Sequence, residues 1–148
     1  MSAFIVQPNS YSCGATSLVN VAKVLNVELS YDDAKRLTHT TARDGVDERG
    51  LINAIKELGL RYREYSTNSQ QNGWRWLLRT AKTTPVILCL DAYQHWTTVS
   101  GRIGRKVILV DPKARLSSGE NGVHPIARVD LLERWAYRGR VYAISVLR

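Results

Sequence analysis

The sequence has few of the features that mark secreted, membrane-spanning or disulfide-built proteins. Its 148 residues include only two cysteines, so it can form at most one disulfide, and a disulfide framework is excluded. No apolar run approaches the roughly 18–20 residues that a membrane span needs, and the first residues lack the basic and apolar regions of a secretory signal. We therefore expect reduced thiols, no membrane segment and a cytoplasmic location, with export by a signal-independent route left open.

Acidic residues are also scarce relative to basic ones. There are 13 Asp and Glu against 21 Lys and Arg, which gives a formal net charge of +8. A basic surface favours acidic partners, but here the basic side chains are spread along the chain, without a dense block or a nucleic-acid-binding signature. We predict a solvated basic surface and no nucleic-acid partner.

The remaining composition is that of a globular protein with one core. Hydrophobic residues make up 44% of the chain and charged residues 23%, which is ordinary for a folded domain, and the length suits a single domain over residues 1–148. Apolar spacing predicts helices over residues 14–25, 31–37, 48–58, 74–81 and 131–137, and strands over residues 60–65, 86–90, 95–100, 107–110 and 141–147. Helices come first and an antiparallel sheet second, which predicts an α+β fold.

A stretch near the start of the chain carries candidate chemistry. Cys13 lies at the first turn of the first predicted helix, with Ser12 as its predicted N-cap. A helix N-terminus favours the thiolate form of cysteine, which makes Cys13 a candidate nucleophile. Gln7 lies six residues upstream. Its uncharged side-chain amide could donate to an oxyanion together with the backbone N–H of Cys13.

A predicted hairpin supplies a base for this thiol. A turn centred on Ile103 would pair Val99 with Val107 and His95 with Asp111. Directly opposed residues share a face of the sheet, so the carboxylate would lie beside the imidazole. Such a carboxylate orients the ring and stabilises its protonated form.

These motifs together resemble a known family. Gln7 and Cys13 are separated by five residues, Cys13 is followed by Gly-Ala-Thr, and Asp111, sixteen residues after His95, precedes a proline. The pattern resembles the papain-like cysteine peptidases, and more closely the peptidase domains of bacteriocin-processing ABC transporters and their stand-alone relatives. The similarity extends over almost the whole chain.

The resemblance implies a papain-like fold and a cysteine peptidase that hydrolyses a peptide or amide bond through a thioester. By this resemblance Cys13 is the nucleophile, His95 the general base and acid, Asp111 the residue that orients it, and Gln7 the oxyanion donor. The expected partner is a peptide or protein substrate, and the family uses no metal and no cofactor.

Other interpretations of the same residues stay open. The fold also hosts non-catalytic peptide-binding modules, deamidases and transglutaminases. Cys89 lies in an apolar run and is predicted to be an inert core residue, while Trp96 could either wall the site or simply pack in the sheet. The segment 113–126 is predicted to be a loop that could act as a lid.

Overall fold

The computed structural model of the chain describes residues 3–113 and 122–148. Its helices are α1 (Cys13–Val24), α2 (Tyr31–Thr38), α3 (Glu48–Glu57), α4 (Gln70–Ala81) and α5 (Arg128–Trp135). Its strands are β1 (Arg61–Thr67), β2 (Val86–Leu90), β3 (His95–Ile103), β4 (Lys106–Val110), β5 (Val123–Ile126) and β6 (Val141–Leu147). Three helices precede a mainly β second part, so the predicted α+β class is confirmed.

The strands form one antiparallel sheet in the order β1-β6-β2-β3-β4-β5. Strand β2 is buried along its whole length, because both of its faces are covered. Ile87 and Cys89 contribute to one apolar cluster, whereas Leu88 and Leu90 contribute to a second one. This alternation is the period of two expected for a strand.

The helices occupy both faces of this sheet. The first cluster joins the sheet to α1, α2 and α3 through residues such as Leu18 and Ile55, and the second joins it to α4 and α5 through Leu77 and Leu131. Packing in the first cluster places α1 against β3, and packing in the second places α5 against the opposite face of the sheet. The site described below lies at the start of α1, the start of β3 and the end of β4.

The predicted hairpin forms, but its pairing differs from the prediction. Val99 pairs with Leu109 rather than with Val107. The turn lies one to two residues later than predicted, because Ile103 pairs with Lys106 and Gly104 adopts a positive φ of 59°. Continued along the strands, this register places Thr97, not His95, directly opposite Asp111.

A bulge in β3 restores the relation between His95 and Asp111. Paired residue numbers sum to 209 near the turn (Ile103 with Lys106) and to 208 beyond the irregularity between Val99 and Gly101. The extra residue is Ser100, and an extra residue in one strand reverses the facing of everything beyond it. Because the final sum is even, His95 and Asp111 share a face as diagonal neighbours.

The segment predicted as a loop over residues 113–126 ends in a strand. Val123–Ile126 forms β5 and pairs with β4 at the edge of the sheet. Pro125 hid this strand from the sequence pattern, although an edge strand tolerates a proline because its outer N–H side has no partner to lose. Residues 114–121 lie outside the described residues, and so does most of the predicted lid.

Candidate active site

Cys13 is the first residue of α1, as predicted. Ser12 occupies the N-cap position, but its side chain makes no capping hydrogen bond to the helix. Its hydroxyl instead donates to the carbonyl of Asn9 at 3.3 Å, so the predicted capping contact is wrong. The backbone of Ser12 has φ −105° and ψ 20°, which is not the extended conformation that aims a cap side chain into the first turn. The first N–H groups of α1 therefore receive no acceptor from Ser12.

His95 and Asp111 form a buried pair at the ends of their strands. His95 Nε2 lies 2.8 Å from Asp111 Oδ1, and the two side chains are 3% and 0% exposed. The same carboxylate oxygen accepts the backbone N–H of Lys113 at 2.9 Å. These contacts fix the imidazole plane and leave Nδ1 as the ring nitrogen available to the thiol.

The thiol of Cys13 is held between the imidazole and the backbone of β3. The Trp96 N–H donates to Cys13 Sγ at 3.4 Å. Burial raises the pKa of Cys13, but hydrogen bonds from His95 and from the Trp96 N–H lower it by more, so the pKa falls below its ordinary value. The site therefore favours the thiolate more than the surroundings of an ordinary cysteine do.

The imidazole is tuned in the opposite direction. Burial lowers the pKa of His95, whereas hydrogen bonds to Asp111 and Cys13 raise it by more, and the result is about 9. Burial raises the pKa of Asp111, while its bond to His95 lowers it by more, so the carboxyl stays ionised. A lowered thiol pKa beside a raised imidazole pKa is the signature of a thiolate–imidazolium pair.

Gln7 lies beside the same group of residues. Its backbone N–H donates to the carbonyl of Pro112 at 2.8 Å, next to Asp111 in sequence. Its side-chain Nε2 donates to the carbonyl of Asn9 at 2.6 Å, the same oxygen that Ser12 contacts. The turn over residues 7–12 therefore brings the amide of Gln7 next to the residue that precedes Cys13.

A cleft of about 700 Å³ opens beside the thiol. Cys13 and Trp96 line it together with the segment 42–48. Trp96 Nε1 donates to the carbonyl of Val46 at 2.8 Å. A Cβ at Gly14 would collide with the Val46 side chain and press on the Trp96 ring at 3.1 Å, so glycine permits this close approach. Trp96 thus serves as a wall of the cleft as well as a core residue.

Cys89 shows the contrasting environment. Its side chain is only 3% exposed and belongs to the first apolar cluster. Burial raises its pKa to about 12, with the nearby Cys13 charge adding to the effect. At neutral pH this thiol is protonated and unreactive.

Two further charged residues at the site escaped the sequence analysis. Asp91, just after β2, and Arg134, in the last turn of α5, form a paired ion contact, and Arg134 also approaches Asp111. They are 43 residues apart in sequence, and neither lies in a motif. The only sequence signal was the position of Asp91 directly after a buried strand, where loops commonly carry functional residues.

In the residues that the structure describes, histidine, cysteine and acidic side chains form no group of three or more suited to a metal ion. Within the same ranges, no helix combines the length and apolar character that a membrane crossing requires.

Comparison with known proteins places this arrangement in context. The sequence profile of the peptidase C39 family matches residues 2–135. No curated protein matches the chain.

Solved structures share the fold at low sequence identity. A double-glycine-motif protease from an AMS/PCAT transporter, solved in complex with a leader peptide, is 18% identical with a TM-score of 0.75, covering 99% of this chain and 91% of that one. The peptidase domain of Streptococcus ComA, a bifunctional ABC transporter, is 20% identical with a TM-score of 0.74, covering 97% and 96%. A C39-like peptidase described as putative, from Bacillus anthracis, is 16% identical with a TM-score of 0.58, covering 99% and 94%.

Proposed function

The chain belongs to the peptidase C39 family, and on that premise we propose that it hydrolyses a peptide bond through a thioester formed at Cys13. Family membership confirms the resemblance found in the sequence, and it makes the protein a cysteine peptidase. The finer proposal assigns the nucleophile to Cys13, proton transfer to His95 and orientation of the imidazole to Asp111. The observation that carries it is the buried His95–Asp111 pair at 2.8 Å, next to the Cys13 thiol that accepts the N–H of Trp96, the residue after His95.

The proposed chemistry follows from the charges of these groups. The Cys13 thiolate attacks the scissile carbonyl carbon and forms the C–S bond, while the carbonyl electrons move onto oxygen. His95, protonated at Nδ1, gives that proton to the departing amine as the C–N bond breaks. Neutral His95 then takes a proton from water, and the hydroxide attacks the thioester and releases Cys13 as thiolate. Asp111 stays ionised throughout and stabilises each imidazolium.

The developing oxyanion needs donors on the helix side of the carbonyl. We assign this role to the backbone N–H of Cys13 and to the side-chain amide of Gln7. One Nε2 hydrogen of Gln7 is engaged by the Asn9 carbonyl, and the amide carries a second one. The unused capping position of Ser12 supports this assignment, because it leaves the first N–H groups of α1 without a side-chain acceptor.

For the substrate, we propose a peptide with small residues directly before the cleaved bond. The Trp96–Val46 contact narrows the cleft beside Cys13, and Gly14 is required for that approach. A Gly-Gly pair would fit beside the Trp96 ring more easily than residues with branched side chains. The structural neighbour solved with a leader peptide is a double-glycine-motif protease, which fits the same expectation.

The test is cleavage of two matched peptides, one with Gly-Gly and one with Leu-Leu before a common bond, followed by mass spectrometry. We expect the Gly-Gly peptide to be cleaved preferentially, and Cys13→Ala or His95→Ala to reduce the rate by at least about 10³-fold. Cys89→Ala is the matched control and should retain the wild-type rate.

Other results would contradict the proposal and indicate a different function. Conversion of Gln to Glu without shorter products would indicate a deamidase, and uncut peptide retained equally by wild type and Cys13→Ala would indicate a binding module. Undiminished cleavage by Cys13→Ala would remove the nucleophile assignment itself.

A further inference from the structure

The turn that leads into His95 has an unusual backbone. Asp91, Ala92 and Tyr93 have φ values of 55°, 59° and 63°, so three consecutive non-glycine residues adopt the left-handed conformation. L-residues disfavour this region because Cβ crowds the following carbonyl. Such a conformation persists only where surrounding contacts hold it in place.

Arg134 supplies those contacts from α5. Its Nε and Nη2 donate to Asp91 Oδ1 and Oδ2 at 3.0 and 2.9 Å. Its backbone carbonyl, at the end of the helix, accepts the Asp91 N–H at 2.8 Å. The residue is fixed in turn by its neighbour Trp135, which is fully buried and donates to the Tyr142 carbonyl at 2.9 Å. Three hydrogen bonds thus fasten the start of the turn to one arginine.

The same guanidinium reaches the proposed catalytic carboxylate. Arg134 Nη2 lies 3.7 Å from Asp111 Oδ2, an oxygen on a fully buried side chain. Within residues 3–113 and 122–148, that oxygen accepts no hydrogen bond, whereas Oδ1 accepts both from His95 and from Lys113. A buried carboxylate is costly without compensating cations; His95 lies beside Oδ1, and Arg134 is the cation beside Oδ2.

We propose that Arg134 is a positioning residue for the peptidase reaction, because it clamps the turn before His95 and sets a positive charge against the outer oxygen of Asp111. This inference rests on the proposed roles of Cys13, His95 and Asp111. Arg134 does not line the cleft, so it acts on the reaction through His95 and Asp111.

Removing Arg134 should raise the pKa of Cys13 in two ways. A loosened turn weakens the hydrogen bond from His95 that favours the thiolate. Loss of the positive charge also makes the surroundings of Asp111 less favourable to its anionic form. Through Asp111 and His95, the thiolate of Cys13 is disfavoured as well. Lys113 remains as another positive charge near Asp91, so the effect should be partial.

The experiment compares Arg134→Gln, Arg134→Lys and Asp91→Asn with wild type in the full chain. Arg36→Gln is the matched control, because it removes an arginine from a paired contact with Asp33 on the exposed surface of α2. Each variant is scored by the pH dependence of iodoacetamide labelling at Cys13 and by kcat and KM for peptide cleavage. Thermal unfolding shows that each variant is folded.

We expect Arg134→Gln to raise the labelling midpoint by about half a pH unit and to lower kcat roughly tenfold with little change in KM. Arg134→Lys keeps the charge but not the paired hydrogen bonds, so it should restore part of the midpoint shift and part of kcat. Asp91→Asn should lower kcat while leaving the midpoint near that of wild type, because the loosened turn raises the pKa of Cys13 and the lost negative charge lowers it. Arg36→Gln should match wild type in every readout.

The proposal is overturned if Arg134→Gln changes only the unfolding temperature, or if its loss appears in KM alone. It is also overturned if Arg134→Lys is no better than Arg134→Gln in midpoint and kcat. Should Arg134→Gln fail to fold, the Lys and Asp91→Asn variants decide. Failure of the proposed triad is distinguishable, because wild-type Cys13 would then label only at the pH of a free thiol.

Discussion

At the scale of single residues, the two cysteines show how strongly surroundings set the chemistry of a thiol. Cys13 and Cys89 both line the cleft. Contacts with His95 and Trp96 lower the pKa of Cys13, whereas apolar burial raises that of Cys89 to about 12. Sequence reasoning assigned them different roles, because one begins a helix and the other lies inside an apolar run.

This difference predicts a selective pH profile. Iodoacetamide should label Cys13 with a midpoint below pH 9 and leave Cys89 unlabelled over the same range, as peptide mapping can show. Cleavage should decline as the pH rises through about 9, where His95 loses the proton that it gives to the leaving amine. Cys89→Ala should leave both profiles unchanged, and equal labelling of the two cysteines would contradict the assignment.

The proposed catalytic residues could be identified from sequence because each lies in a short motif. Gln7 and Cys13 share one turn, and Asp111 precedes a proline. Arg134 and Asp91 could not be identified, because their contact joins two elements that only tertiary packing brings together. No local pattern marks an arginine at a helix end as the partner of a strand-end aspartate.

At the scale of elements, the shared face of His95 and Asp111 depends on one extra residue in β3. The sequence-based register was wrong by two residues, and an error of two preserves the face because side chains alternate with a period of two. The bulge itself was not predictable, since Ser100 resembles any other strand residue. The correct contact was thus predicted from an incorrect pairing.

Deleting Ser100 should therefore separate the pair. Without the bulge, the register set at the Gly104 turn would run through β3 and direct His95 to the other face. We expect peptide cleavage to fall by at least about 10²-fold, measured with the preferred peptide. Ser100→Ala keeps the strand length and should retain activity. If the deletion variant is active, the hairpin turn must have shifted to compensate for the missing residue, and the bulge is not needed.

The left-handed turn before His95 gives a second prediction at this scale. Ala92 has φ 59°, a conformation that glycine adopts without Cβ crowding. Ala92→Gly should therefore raise the free energy of unfolding by about 0.5–1 kcal/mol, measured by urea denaturation.

The control for this prediction is Ala136→Gly. Ala136 lies in an extended conformation with φ −75° and packs against the second cluster, so glycine there adds freedom to the unfolded chain and removes a packed methyl group, and it should lower stability by at least about 0.5 kcal/mol. Equal losses at both positions would show that the Asp91–Tyr93 turn is not strained.

At the scale of the whole molecule, two apolar cores share one sheet. Apart from β5, the order of helices and strands was predictable, because spacing reveals which residues are buried. The side of the sheet that each helix covers was not, since an apolar stripe on α4 or α5 fits either face equally well. The strand order could not be predicted from the sequence either, because the last strand, β6, lies between β1 and β2.

Shared strands should make the cores unfold together as one domain. Leu18 and Leu131 are both fully buried, in the first and second clusters respectively. Replacing either by alanine should lower the free energy of unfolding by about 2–5 kcal/mol and keep a single urea transition. Circular dichroism and tryptophan fluorescence should report the same midpoint. Separate transitions in either variant would contradict a single domain.

The contact between Trp96 and Cys13 joins residues 83 positions apart, which has a consequence during synthesis. A ribosome makes the cysteine early and its histidine and aspartate much later. A nascent chain that ends before His95 carries the thiol without the groups that lower its pKa. The growing polypeptide therefore emerges with an ordinary cysteine, and its chemistry begins only after residues 95–111 have been translated.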